Sequence, residues 1–172
     1  MTDGIPKGGN MPNSPETFDS IVEQCILMEI QAMTLYTSLA NQVRDEETSR
    51  MLRVLAGMEE AHVGRLVQIF SGAMEHPEKS LAKVDILKAF QPDASRMHKA
   101  RLAGAGLTET SPLDDYLTFA IVGETHARSH YDRLSGEAPN PLAREIFQTL
   151  SREEADHEET LKRIRTSSRE NR

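Results

Sequence analysis

Glu29, Glu59 and His62 recur as Glu124, Glu154 and His157, each displaced by the same 95 residues. Every one of these polar residues interrupts an apolar stripe of helical period. The first stripe runs Val22, Cys25, Ile26, Glu29, Ala32, Met33, Tyr36, Ala40 and Val43, in steps of three or four. The second carries Met51, Leu52, Leu55, Met58, Glu59, His62, Leu66, Ile69 and Phe70. The third carries Leu117, Ala120, Ile121, Glu124, Ala127, Tyr131 and Leu134, and the fourth Ile146, Leu150, Glu154, His157, Leu161 and Ile164. An inward acid on each of four helices leaves few folds open, because the acids must converge and something must neutralise them.

The spacing says how they converge. Glu29 and Glu59 are 30 residues apart, as are Glu124 and Glu154, and Tyr36 and Tyr131 obey the same shift. A helical hairpin has been duplicated, with its halves related by an approximate two-fold axis. The fold class expected is therefore all-α: a four-helix bundle made of two hairpins joined by a long crossover. Residues three apart on a helix project from one face, so each Glu-x-x-His unit offers a carboxylate and an imidazole to one point. Four buried carboxylates without compensation would have to protonate or force the bundle open. Two divalent cations supply the matching charge, and neutral imidazoles add nitrogen ligands without adding more. Mixed oxygen and nitrogen donors suit iron or manganese, with zinc a poorer fit.

Local signals set the expected boundaries. Residues 1–13 are rich in Gly, Pro and Asn and read as a flexible tail; the bundle is placed at 14–166 and a polar C-terminal tail at 167–172. Ser14-Pro15-Glu16 and Ser111-Pro112 look like helix starts, with Ser as cap and Pro at the first helical position, as does Asn140-Pro141. Arg44 to Glu47 reads as a short turn. In the crossover, 77–111, one short helix is expected to stop at Pro92 and another to span Met97 to Leu102.

Composition narrows the function. Lys plus Arg is 20 against 27 Asp plus Glu, a net charge of −7, which argues against nucleic acid or an anionic membrane as partner. The single cysteine, Cys25, excludes a disulfide framework, a Cys-rich zinc site and a CxxC redox pair; it reads as a small buried apolar residue. No apolar run reaches the ~18–20 residues of a membrane span, and no apolar leader opens the chain, so a cytoplasmic location is expected. Glu60, Glu153 and Glu158 neighbour the Glu-x-x-His units but are assigned to the surface. His126 and His130 fall on the side of the third helix away from the acids, and His76 and His98 carry no signal.

With these motifs in place, residues 16–165 resemble the ferritin-like superfamily, most closely its rubrerythrin-like and bacterioferritin-like members. The resemblance implies that Glu29 and Glu124 are terminal ligands of two iron ions, that Glu59 and Glu154 bridge them, and that His62 and His157 cap one ion each. It implies that Tyr36 and Tyr131 sit beside the site and hydrogen-bond its glutamates, in a catalytic supporting role. The function implied is that of a non-haem di-iron oxidoreductase, a peroxidase or ferroxidase taking H2O2 or O2, with an external electron donor in the first case. Three departures stand out: Ala127 occupies a position where rubrerythrins commonly have another glutamate, the four cysteines of a rubredoxin domain are missing, and no Met follows Glu59 to hold haem. The alternatives left open are iron storage, a structural dimetal bundle, and a helical interaction module that has lost its metal. Helices of this length commonly pair, so a homodimer or larger homo-oligomer is expected.

Overall fold

The first helix begins where Thr17, in extended conformation, accepts a hydrogen bond from the Ser20 amide at 3.1 Å. In this computed structural model, which describes residues 17–69, 83–108 and 110–170, the helices are α1 (Phe18–Gln42), α2 (Glu46–Ile69), α3 (Lys83–Gly104), α4 (Leu113–Glu137) and α5 (Pro141–Glu170). No strand occurs among the described residues, and no helix there is long and apolar enough to cross a membrane. The expected all-α ferritin-like bundle is what forms: α1 pairs with α2, α4 with α5, and the two hairpins close on each other chiefly through α2 and α5.

Capping chemistry explains most of the ends. Asp45 accepts the Thr48 amide at 2.7 Å and opens α2 after the expected polar turn. Asn140 accepts the Ala143 amide at 2.9 Å with Pro141 as the first helical residue, as anticipated. Two starts differ. Thr17 rather than Ser14 caps α1; Ser14 to Glu16, like the tail 1–13, lie outside the described residues. Ser111 does not cap α4; its hydroxyl accepts the Thr108 amide instead, and Pro112 precedes the first turn. The C-terminal tail expected from 167 is helical as far as Glu170, because Arg169 forms a two-pronged ion pair with Asp114 at 2.6 and 2.7 Å.

The largest correction concerns the crossover. Two short helices separated at Pro92 were expected, whereas α3 runs unbroken from Lys83 to Gly104 with Pro92 inside it. Proline costs the helix one amide donor, the partner of the Lys88 carbonyl, but its fixed φ is itself helical. Packing offsets that loss: Leu87 and Phe90 rest on the core, and Ala94 and His98 are buried. These four follow helical spacing straight through the proline. α3 lies along α1, where Arg101 donates to the Gln31 side chain at 3.2 Å and Met97 and His98 share a cavity wall with Leu35. Pro92→Ala restores the missing donor and is expected to stabilise the protein by about 1–3 kcal/mol in denaturant titration; an unchanged midpoint would mean that the helix is bent there to relieve the clash.

The core is divided. One apolar cluster gathers Val22, Ile26, Val63, Leu66, Phe147 and Leu150; the other gathers Leu39, Leu52, Leu55, Leu117, Leu161 and Ile164. The polar layer of Glu29, Glu59, His62, Glu124, Glu154 and His157 occupies the middle of the same helices, so it is closed off from both ends of the bundle.

A candidate metal centre

All six predicted ligand positions are buried, none more than 3 % exposed. Glu59, His62, Glu154 and His157 each place a donor atom within 4.8 Å of the others. The pattern between them is reciprocal. Glu59 directs Oε1 to Nδ1 of His157 at 3.0 Å and Oε2 to Nδ1 of His62 at 3.1 Å. Glu154 directs Oε1 to Nδ1 of His62 and Oε2 to Nδ1 of His157, both at 3.1 Å. Each carboxylate thus reaches both imidazoles, one oxygen apiece, and the two rings stack 5.2 Å apart and 11° from parallel.

Glu29 and Glu124 stand at the flanks of this group. Oε2 of Glu29 lies 3.3 Å from Nδ1 of His62. The tyrosines reach across the two-fold axis: Tyr131 donates to Oε1 of Glu29, and Tyr36 donates to Oε1 of Glu124. Each hydroxyl therefore holds the flanking acid of the other half. Tyr131→Phe removes that donor from a fully buried carboxylate and should lower the stability of the metal-free protein by about 1–3 kcal/mol in denaturant titration.

Electrostatics show a site waiting for positive charge. Burial drives the carboxyls of Glu29 and Glu124 well above the usual range, and the Glu154 charge adds to it. Burial alone would raise Glu59 too, but the imidazoles of His157 and His62 outweigh it and hold that group down at about 2. Burial depresses His157 less than Glu154 and Glu59 raise it, so it is pushed up to about 9. His62 is raised further by the same balance, against Glu154, Glu29 and Glu59. In the absence of metal, protons on these groups partly compensate the acids.

The donor set fits a pair of divalent ions. Both oxygens of Glu59 and of Glu154, and Nδ1 of His157, are buried without a hydrogen-bond partner, because the close imidazole approaches lack hydrogen-bond alignment. Native interiors seldom leave so many polar atoms unsatisfied at one point unless an ion is meant to engage them. The ring nitrogens facing the acids are Nδ1 in both halves, leaving each Nε2 on the outer side.

Several residues read as surface or uninformative have structural parts. Glu153, assigned to solvent, pairs with Arg65 and brings Oε2 to 2.9 Å from Nε2 of His62. Glu158, also assigned to solvent, is buried between Lys162 and Arg128. Only Glu60 of the three is exposed. His98, on α3, is buried, and burial followed by the Arg101 charge lowers its pKa; His76 lies outside the described residues. Cys25 is fully buried, and burial pushes its thiol up to about 12, in keeping with an inert packing role.

A cavity of about 390 Å³ opens between α1, α3 and α4, with Glu29 and Glu124 on its wall beside Ala32 and Ala127. His126 and His130 border it too. Expected on the side of α4 away from the acids, His126 is exposed and His130 half-buried along this cavity. Neither histidine belongs to the central donor group. His126→Ala is expected to leave two divalent ions per chain by elemental analysis, within error of the parent protein.

Compared with known families, residues 20–102 and 115–172 match the family model described as Rubrerythrin. No curated protein matched the chain, and no solved structure did.

Proposed function

The chain belongs to the rubrerythrin family, and from that premise we propose that it is a non-haem di-iron oxidoreductase that reacts a pair of Fe(II) ions with H2O2 or O2. One observation carries this reading: Glu59 and Glu154 each present one oxygen to each imidazole, the arrangement required of two carboxylates shared by two ions. Glu29 and His62 would complete one position, and Glu124 and His157 the other. Bound there, an Fe(II) pair would supply the two electrons that, with two protons, convert one peroxide into two waters.

The residues of the chain provide the setting. Glu59 and Glu154, fixed in the middle of α2 and α5, set the separation of the two positions. Tyr36 and Tyr131 hold the flanking acids in place from the opposite half. The apolar clusters at both ends exclude water from the polar layer. Ala32 and Ala127, each one turn beyond a flanking glutamate, keep the wall of the 390 Å³ cavity open, which gives a small oxidant a path to Glu29 and Glu124. A peroxidase cycle would draw two electrons per peroxide from an external donor.

Stopped-flow mixing of the anaerobic Fe(II)-loaded protein with H2O2 or with O2 tests the proposal. Oxidation at least tenfold faster than that of free Fe(II) under the same conditions is expected in at least one arm, and the faster arm identifies the oxidant. Rates equal to free iron in both arms would overturn it.

A further inference from the structure

The 95-residue repeat carries ligand onto ligand, but not what stands behind the ligands. Nε2 of His62 faces Oε2 of Glu153 at 2.9 Å, and Glu153 is itself clamped by Arg65. The approach lies off the N–H axis, so it acts through charge and distance more than through an aligned hydrogen bond. Applying the repeat, the counterpart of Glu153 is Met58 and that of Arg65 is Thr160. His157 therefore has a thioether and a hydroxyl-bearing residue where His62 has a carboxylate and a guanidinium. Among the described residues, Nε2 of His157 has no hydrogen-bond partner, and both of its short acid contacts are made by Nδ1. His157 lines a separate cavity of about 230 Å³ together with Met51, Val54, Leu55, Met58 and Thr160. Exposed Arg50 and Asp156 also border that cavity, but neither is within ion-pair reach of the ring.

We propose that the duplicated centre is functionally asymmetric: Glu153, anchored by Arg65, makes the His62 half the tighter metal position, filled first, while the His157 half is the weaker, filled second. The inference rests on the di-metal reading above. A carboxylate behind a ligating imidazole favours the tautomer with hydrogen on the outer nitrogen, orients the ring and raises the basicity of the inner one. At His62 the Glu153 carboxylate, 2.9 Å from the outer nitrogen, exerts them through its charge. Among the described residues no acid faces the outer nitrogen of His157, whose short contacts to Glu59 and Glu154 are both made by Nδ1. Glu153 is thus a positioning residue, acting on metal only through His62.

Site-resolved occupancy tests this without recourse to activity. Crystals of the metal-free protein are equilibrated with one Mn(II) per chain, then with excess Mn(II), and anomalous density is refined at each position. Loss of such an outer partner typically lowers metal affinity by about 10–100-fold, and a tenfold difference shares one ion roughly three to one. The parent protein should therefore show at least threefold greater occupancy beside His62. Glu153→Gln, at a partly exposed position on the bundle's flank, should bring the ratio to about one or invert it. Met58→Gln, which offers Nε2 of His157 an acceptor, should narrow the ratio from the other side. Equal occupancy in the parent protein, or a ratio unchanged in Glu153→Gln, overturns the proposal while leaving the di-metal reading intact. No density between the six side chains at excess Mn(II) removes the di-metal reading, and this proposal with it.

Discussion

Glu154→Ala is expected to take the protein from two bound divalent ions per chain to none when metal is supplied at stoichiometric concentration. The size of the effect follows from the position of the two oxygens. One faces Nδ1 of His62 and the other Nδ1 of His157, so a single truncation removes a ligand from both halves at once. It also removes one of four negative charges that together balance two dications. A flanking acid such as Glu29 belongs to one half, and its loss should spare the other. Glu59→Ala should reproduce the result, because Glu59 spans the same two imidazoles. Elemental analysis after anaerobic loading and desalting gives the stoichiometry. Retention of even one ion per chain in both variants would show that the two carboxylates are not shared. Both metal-free variants should melt below the metal-free parent, since each truncation leaves buried imidazoles without an acid partner; a far-ultraviolet circular dichroism spectrum matching that of the parent at the loading temperature separates loss of ligation from loss of fold.

Stripping divalent metal from the loaded protein should lower its melting temperature by about 16–32 °C. Metal at a thousandfold excess over its dissociation constant adds about 4 kcal/mol per ion, about 8 for the pair, and each kcal/mol is worth ~2–4 °C in a chain of this length. The gap should widen with pH, and the direction can be worked out group by group. Burial raises Glu29 and Glu124 above their ordinary value of 4.5. The folded metal-free chain then keeps protons that the unfolded chain releases, so its stability falls as pH rises above 4.5. His157, raised from 6.5 to about 9, works in the same direction: its contribution is present below 6.5 and is lost as pH climbs through 9. Glu59 has the opposite sign, since a group held at about 2 contributes fully above 4.5 and is lost only on acidification. Between pH 6 and 9 the melting temperature of the metal-free protein should therefore decline. Metal competes with the same protons, so the loaded form should decline less and the gap should grow. Calorimetric scans with and without chelator at pH 6, 7.5 and 9 measure it; a gap that stays constant or shrinks would show that these groups are not what the metal neutralises.

The centre was legible in the chain because burying an acid leaves a mark on periodicity. Glu29, Glu59, Glu124 and Glu154 stand where Leu or Ile would otherwise continue a stripe, and the 95-residue repeat removes coincidence. Tyr36 and Tyr131 shared that register, although which glutamate each would reach depended on the hairpins lying across each other. Other features left no such mark. Pro92 signals a helix end locally, and only the surface of α1 beneath Leu87, Phe90, Ala94 and His98 makes continuity the better choice. That stripe, running through the proline at helical spacing, was the available signal. Glu153 and Glu158 are polar residues on a polar-looking side of α5, and their neighbours Arg65, Arg128 and Lys162 include partners from other helices.

Taken alone, the order of residues determined the four helices of the two hairpins, the face each turns inward and the six donors on those faces, because helical geometry ties three- and four-residue spacing to one side of a cylinder. It could not determine what each inward group meets behind its first contact. That Glu153 backs His62 while no acid among the described residues faces the outer nitrogen of His157, and that a gap beside Ala32 and Ala127 leads to the acids, was decided by the packing of one helix against another. Such contacts join residues far apart in the chain, and only their distances in space set the charge that reaches them.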